Sequence, residues 1–140
     1  MAIHFFSEDI PFQLKNKRRI AQWLQSVISS ENKKCGDIGY IFVSEEKILE
    51  LNNKFLQHDY YTDIITFDNT VGDMINGEMY LSIDTIRYNS GLFEITFENE
   101  LLRVIVHGVL HMCGYHDGTM EEQQNMRKLE NKYLEQIYPE

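Results

Sequence analysis

The sequence has little cysteine and no long apolar run. Its two cysteines, Cys35 and Cys113, are far apart and form no C-x-x-C pair, which excludes a disulfide-rich secreted scaffold. No stretch approaches the ~20 consecutive apolar residues that span a membrane, and the N-terminal segment lacks the pattern of a signal peptide. These absences predict a cytoplasmic protein with no membrane contact.

Basic residues are also few. The chain has 13 Lys and Arg against 22 Asp and Glu, a net charge of −9. Such a protein cannot hold nucleic acid by its overall charge, because each phosphate contact requires a Lys or Arg. With only two prolines and eight glycines in 140 residues, 43% of them hydrophobic, the composition is that of a globular protein. We predict one domain spanning residues 1–140, and a monomer.

The spacing of apolar residues predicts four strands and four helices. The predicted strands lie at 3–6, 38–43, 62–67 and 77–83. The predicted helices run over 17–30, from Ser44 through Phe55, from Thr96 to Gly114, and from Thr119 through Ile137. Because strands and helices do not alternate strictly, we expect an α+β fold with a small mixed sheet covered by helices. The 96–114 helix is apolar on most sides, which predicts a central, buried position.

Three of the five histidines lie in the segment H-G-V-L-H-M-C-G-Y-H-D, residues 107–117. His107 and His111 are four positions apart on the predicted helix, so their imidazoles point the same way and can share one ion. A catalytic zinc ion takes three protein ligands and leaves one position open. His116 and Asp117, which follow a glycine turn, are both competent third ligands. The segment therefore predicts one Zn²⁺ per chain, used for hydrolysis.

Alternatives to this interpretation remain at the sequence level. The two histidines can instead be buried side chains hydrogen-bonded to the backbone. Cys113 is a poor candidate ligand, because it lies about 200° around the helix from His111. The zinc peptidase signature H-E-x-x-H places its glutamate where this chain has Gly108, which disfavours peptide hydrolysis by that mechanism.

The histidine segment resembles the signature of the YbeY endoribonuclease family, H-G-x-L-H-x-x-G-Y-D-H, and departs from it only at the last two residues. Residues 51–59 and 62–67 resemble the family's L-N-x-x-[YF] and T-[DN]-[VI]-[LI]-[ST]-F blocks. Residues 78–83 stand where the family has a G-[DE]-[IVM]-x-[IL] strand. The resemblance covers roughly residues 38–137.

The resemblance implies an α+β fold, a zinc ion held by three histidines, and cleavage of single-stranded RNA in ribosomal RNA maturation and ribosome quality control. It also implies RNA and the ribosome or ribosomal proteins as partners. By position, His107 and His111 match two of the family's ligands. The family's last histidine is matched by Asp117, which keeps the spacing and is our expected third ligand, with His116 as the alternative.

A second departure from the family concerns phosphate binding. Where members often have an arginine after the aromatic residue of L-N-x-x-[YF], this chain has Leu56. If that arginine steadies phosphate, its loss either weakens the prediction of RNA binding or shifts the task to His58, Lys54 or Arg103. His58 can equally be a solvated loop histidine.

The candidates for proton transfer are acids and one histidine. We expect the metal to polarise a phosphoryl oxygen, to activate a bound water, or both. Asp63 and His58 are the candidate catalytic residues. Glu98 and Glu100, in the first turn of the metal helix, are further possible bases, although acids there are more often surface residues favoured by the helix dipole.

Two rival functions follow from the same residues. One is another zinc hydrolase, such as a peptidase with an aspartate ligand. The other is a non-catalytic ribosome-assembly factor stabilised by a metal. An open coordination position distinguishes a catalytic zinc site from a structural one, which is closed by four protein ligands.

Overall fold

The structure is a computed structural model that describes residues 2–56 and 62–138. The strands are β1 (Ile3–Ser7), β2 (Lys34–Val43), β3 (Ile64–Asp68) and β4 (Met74–Ser82). The helices are α1 (Lys17–Ser30), α2 (Glu45–Leu51), α3 (Ile83–Leu92), α4 (Phe97–Met112) and α5 (Met120–Ile137). A π-helical turn, Asn52–Leu56, continues α2.

The four strands form one mixed sheet in the order β1-β2-β4-β3. β2 lies parallel to both β1 and β4, with Tyr40 opposite Phe5 on one side and Met79 on the other. β3 and β4 are antiparallel, with Ile65 opposite Tyr80. The predicted α+β class with a small mixed sheet is confirmed.

Alternate residues of β2 enter two different apolar clusters because successive side chains of a strand point to opposite faces. Tyr40 and Phe42 belong to the main core, which is built with α1, α4 and α5. Ile41 and Val43 belong to a smaller cluster, which includes Ile48 of α2. Helices therefore cover both faces of the sheet.

Helix α4 runs through the main core, as predicted. Ile105, Val106, Val109 and Leu110 are fully buried along it. The Thr96 side chain caps the start of the helix by accepting a hydrogen bond from a backbone N–H. No helix within the described residues is long and apolar enough to cross a membrane.

Helix α3 was absent from the sequence prediction, which ended a strand at residue 83 and assigned nothing to the segment after it. The Ser82 hydroxyl accepts a hydrogen bond from the Thr85 N–H and starts this helix directly at the end of β4. Its sequence, I-D-T-I-R-Y-N-S-G-L, contains several weak helix formers and buries only Ile83, Ile86 and Ser90. A short helix with so few buried positions has little apolar periodicity to detect.

Gly108 allows α4 to pack closely against the sheet. A Cβ atom at this position would lie 2.2 Å from the sulfur of Met79 and 3.0 Å from Cδ1 of Ile64.

We expect Gly108→Ala to lower the free energy of unfolding by about 1–3 kcal/mol through overpacking, measured by urea denaturation. Gly91→Ala, in α3, is the matched control because a Cβ there meets nothing within 4 Å. Equal stability of the two variants would contradict this prediction.

Candidate active site

A cleft of about 350 Å³ is bordered by α4, the end of α3 and the first two-thirds of α5. Its polar lining comes from four segments that are distant in the sequence. The acidic and basic lining residues are Asp63, Glu100, Arg103, His107, Asp117, Arg127 and Glu130. The cleft thus brings together His107, Asp117 and Asp63, three of the residues predicted from the sequence.

Both ring nitrogens of His107 face carboxylates. Nδ1 lies 2.8 Å from Oε2 of Glu130, and Nε2 lies 3.3 Å from Oδ2 of Asp117. Because a carboxylate accepts hydrogen bonds, the buried Glu130 favours a proton on Nδ1 and leaves the Nε2 lone pair available on the side of Asp117. Histidines that bind metals commonly have this arrangement, with a carboxylate fixing the ring orientation.

The surroundings of His107 change its basicity. Burial alone lowers the pKa of its imidazole, but the hydrogen bond and charge of Glu130, with the charges of Asp117 and Asp63, outweigh burial. The net effect raises the pKa of His107 above its ordinary value. In the metal-free protein the imidazole therefore competes for a proton with any cation that binds Nε2.

Glu130 was missed in the sequence analysis. It lies in α5, buried on the face formed by Met126, Tyr133 and Ile137, and its Oε1 accepts a hydrogen bond of 3.1 Å from Arg103. The sequence did contain a signal: Glu130 is an acidic residue at a position that belongs to the apolar stripe of α5. Because charged residues are almost never buried without a partner, such a position indicates a buried ion pair. The two contacts of Glu130 make it the link between α5 and the histidine of α4.

His111 and His116, the other two residues of the predicted ligand set, lie near each other but do not line the cleft. Their ring centroids lie 6.2 Å apart with the rings nearly perpendicular. His111 is half-buried at the end of α4, whereas His116 is exposed. Burial raises the pKa of the Cys113 thiol to about 11, which keeps it protonated and makes it a poor ligand at neutral pH.

The turn that carries His116 and Asp117 is anchored from α1 and α5. The Tyr115 hydroxyl donates a hydrogen bond of 2.6 Å to Glu31, which also accepts a hydrogen bond from Tyr133. Gly114 starts this turn with φ of 111°, a conformation that favours glycine. One carboxylate at the end of α1 thus ties the turn to the protein core.

Two of the candidate acids, Asp63 and Glu100, lie in the cleft, and Glu98 does not. Burial raises the pKa values of Asp63 and Glu100, both in the cleft, although the charge of His107 partly offsets the effect on Asp63. Glu98 is exposed and lines a different cavity, so it is not part of this site. Interpreting Glu100 as a surface acid was wrong, because its side chain is buried beneath the cleft. The His58 candidate lies outside the described residues.

The candidate phosphate-binding cations differ in their contacts. Arg103 lines the cleft but is held by Glu130 and by Asn131, whose side-chain oxygen lies 2.9 Å from its guanidinium. Lys54 is exposed over the ring of Phe55 and does not line the cleft. Arg127 is a further cation that was not predicted from the sequence. It lines the cleft, and no ion pair involving it is present within residues 2–56 and 62–138.

The nitrogen and oxygen donors of His107 and Asp117 are of the kind that zinc binds, but within the described ranges a third ligand does not lie beside them. Among the residues that the structure describes, no three His, Cys, Asp or Glu side chains are gathered closely enough to hold a metal ion. Two donor atoms about 2.0–2.1 Å from a tetrahedral ion lie about 3.3–3.4 Å apart, and the separation of His107 Nε2 from Asp117 Oδ2 matches this. Four carboxylates against two guanidinium groups also give the cleft an excess of negative charge that a cation would balance.

The fold and this cleft define a class of protein: a small α+β domain with a histidine–carboxylate site on its buried central helix. A family model described as endoribonuclease YbeY matches residues 2–138. The chain belongs to this family. The predicted family is therefore confirmed, and with it the prediction of a nuclease, which is a hydrolase.

Curated relatives and a solved structure agree with this assignment. The endoribonuclease YbeY of Parabacteroides distasonis is 47% identical over 140 residues, covering 100% of this chain and 98% of the relative. That of Bacteroides thetaiotaomicron is 46% identical over 134 residues, covering 96% and 98%. The solution structure of TM1509 from Thermotoga maritima is similar with a TM-score of 0.68 and 29% identity, covering 97% of this chain and 89% of that one.

Proposed function

We propose that this protein is a zinc-dependent endoribonuclease that cleaves single-stranded RNA in ribosomal RNA processing, ribosome maturation and ribosome quality control. The proposal includes a cytoplasmic location and the ribosome or its proteins as partners. Its support is the family, whose named members are endoribonucleases, and above all the placement of His107 between Glu130 and Asp117.

The proposed ligands of one Zn²⁺ are His107, His111 and Asp117, with His116 as the alternative third ligand. His107 and Asp117 already bring two donor atoms to one side of the cleft. When bound, zinc supplies a Lewis acid for a phosphoryl oxygen and lowers the pKa of water.

The side chains around this site have separate tasks in the proposal. Glu130 accepts a hydrogen bond from the Nδ1–H of His107 and keeps Nε2 toward the cleft. Asp63 removes a proton from the attacking water, a role that its raised pKa suits because a general base works best near the operating pH. Arg127 attracts the phosphate of the RNA and offsets the acids around it.

The peptidase alternative is disfavoured by packing as well as by sequence. Position 108 faces Met79 and Ile64 in the sheet, so a glutamate there would be buried against apolar side chains instead of reaching the cleft. The assembly-factor alternative makes a different prediction, a metal-containing protein without nuclease activity. Metal content and cleavage therefore have to be measured on the same sample.

The test is metal analysis of protein purified without added metal, combined with cleavage of matched single-stranded and duplex RNA. We expect about one zinc per chain, cleavage of the single-stranded RNA only, loss of activity after chelation, and recovery on adding zinc. Stoichiometric zinc without cleavage would support the assembly factor instead. Cleavage that resists complete removal of the metal would contradict the zinc mechanism.

A further inference from the structure

The ring of Phe93 is a large apolar surface in a cleft whose other lining residues are mostly polar or charged. Phe93 is 50% exposed and follows the last residue of α3, where its N–H donates a hydrogen bond of 2.9 Å to the carbonyl of Asn89. Two other phenylalanines with exposed or half-buried rings have partners: Arg87 lies 4.2 Å from the ring centroid of Phe97, and Phe55 packs edge-on against Phe67. In the described part of the chain, Phe93 has no such ring or cation contact.

Asn89 places a polar group beside this ring. It precedes Phe93 by four residues, so the two side chains lie on the same face of the end of α3, and both line the cleft. The side-chain amide has two donor hydrogens and one acceptor oxygen, which can pair with the edge of a nucleobase. Within the described residues, the Asn89 side chain makes no hydrogen bond.

The same cleft continues to the cation and the histidine of the proposed active site. Arg127 and His107 line it together with Phe93, and they come from different helices, α5 and α4. These groups match the parts of a nucleotide. The aromatic ring can stack on the base, the amide can pair with the edge of the base, and the guanidinium can bind the phosphate.

We infer that Phe93 and Asn89 form a nucleobase subsite next to the cleavage site, in which the ring of Phe93 stacks on a base of single-stranded RNA. This inference rests on the proposed function and adds the reason for its preference for single strands. In a duplex both faces of an internal base are covered by its neighbours, whereas an unpaired base can leave the stack and lie on an aromatic ring. Stacking accepts every base, so the subsite selects for strandedness more than for sequence.

The test compares steady-state cleavage of a short single-stranded RNA by the zinc-loaded wild type and by Phe93→Ala and Phe93→Trp. Loss of one base–aromatic stack weakens binding roughly 5- to 150-fold, so we expect KM to rise by this factor in Phe93→Ala with a smaller change in kcat. Phe93→Trp should keep a wild-type KM. Tyr88→Ala is the matched control, because Tyr88 is an exposed aromatic residue of α3 that does not line the cleft.

A second set of substrates distinguishes stacking from a structural effect. In these RNAs each nucleotide in turn is replaced by an abasic one. At one nucleotide position, the abasic substitution should raise the KM of the wild type as much as Phe93→Ala raises it on the unmodified RNA. With this abasic RNA, Phe93→Ala should raise KM no further. A Phe93→Ala defect of the same size on every abasic substrate would overturn the inference, because the ring would then act through the fold. Unchanged KM in Phe93→Ala would overturn it too, while leaving the proposed function intact; a wild type that does not cleave RNA would overturn both.

Discussion

Replacing His111 with alanine is expected to remove the bound zinc and to reduce RNA cleavage by about 10³-fold or more. The proposed site has three protein ligands, so losing one leaves two, too few to retain a catalytic zinc ion. A metal that stabilises charge in the transition state contributes several kcal/mol, and each 1.36 kcal/mol corresponds to a tenfold change in rate. The measurements are zinc content after dialysis and kcat/KM on single-stranded RNA.

His4→Ala is the matched control, because His4 is an exposed histidine of β1 outside the cleft. It should keep zinc and full activity. The same assay separates the two candidates for the third ligand: Asp117→Asn should lose zinc, and His116→Ala should retain it, because Asp117 is the residue whose carboxylate lies 3.3 Å from His107. Full activity in His111→Ala would place the catalytic centre elsewhere in the chain.

Local sequence patterns predicted most of the fold correctly. The Thr119 capping box, the apolar period of α1 and the buried character of α4 depend on residues a few positions apart, and these features are all present in the structure. Helix α3 was missed because its few buried residues give a weak period. The predicted second helix continued through Phe55. In the structure, α2 ends at Leu51 and a π-helical turn follows it.

The candidate site was less predictable because it depends on contacts between distant segments. The spacing of His107 and His111 is visible in the sequence, but Glu130 is 23 residues from His107 and reaches it only through the packing of α5 on α4. Likewise, the burial of Glu100 follows from the elements around it and not from its position in the first turn of a helix. Candidate ligands within one helix are therefore accessible to sequence analysis, whereas a residue that contacts them from another helix, as Glu130 does, requires the tertiary structure.

Replacing Glu130 with alanine is expected to have the largest effect on stability, lowering the free energy of unfolding by about 3–5 kcal/mol. Its carboxylate pairs with Arg103 at 3.1 Å and with His107 at 2.8 Å, and all three side chains are largely shielded from solvent. Removing one member of a buried charged group leaves its partners without compensation. Urea denaturation of the metal-free protein measures the change, and a loss below about 1 kcal/mol would contradict the role given to Glu130.

Glu130→Gln separates the role of this residue in stability from its role at the metal. The amide keeps the size of the side chain but loses its charge, so we expect zinc affinity to fall about 10- to 100-fold, as for other carboxylates that orient a metal-binding histidine. The pKa of His107 should also fall, because the hydrogen bond and the charge that raise it are weakened. Competition for zinc with a chelator and NMR titration of His107 in the metal-free protein measure the two effects. Glu135→Gln, at an exposed position of the same helix, is the control.

The pH dependence of stability provides an independent check with a defined sign. In the metal-free wild type the folded protein holds the His107 proton more tightly than the unfolded chain does, since the folded pKa is raised above the ordinary 6.5. The stability contributed by this group is therefore fully present below about pH 6.5 and is lost as the pH rises through the folded pKa. Because Glu130 is the first of the groups that raise this pKa, Glu130→Gln should flatten the decline that begins above about pH 6.5, whereas Glu135→Gln should leave it unchanged. An equally steep decline in Glu130→Gln would mean that other groups, and not the Glu130–His107 pair, control proton uptake at the site.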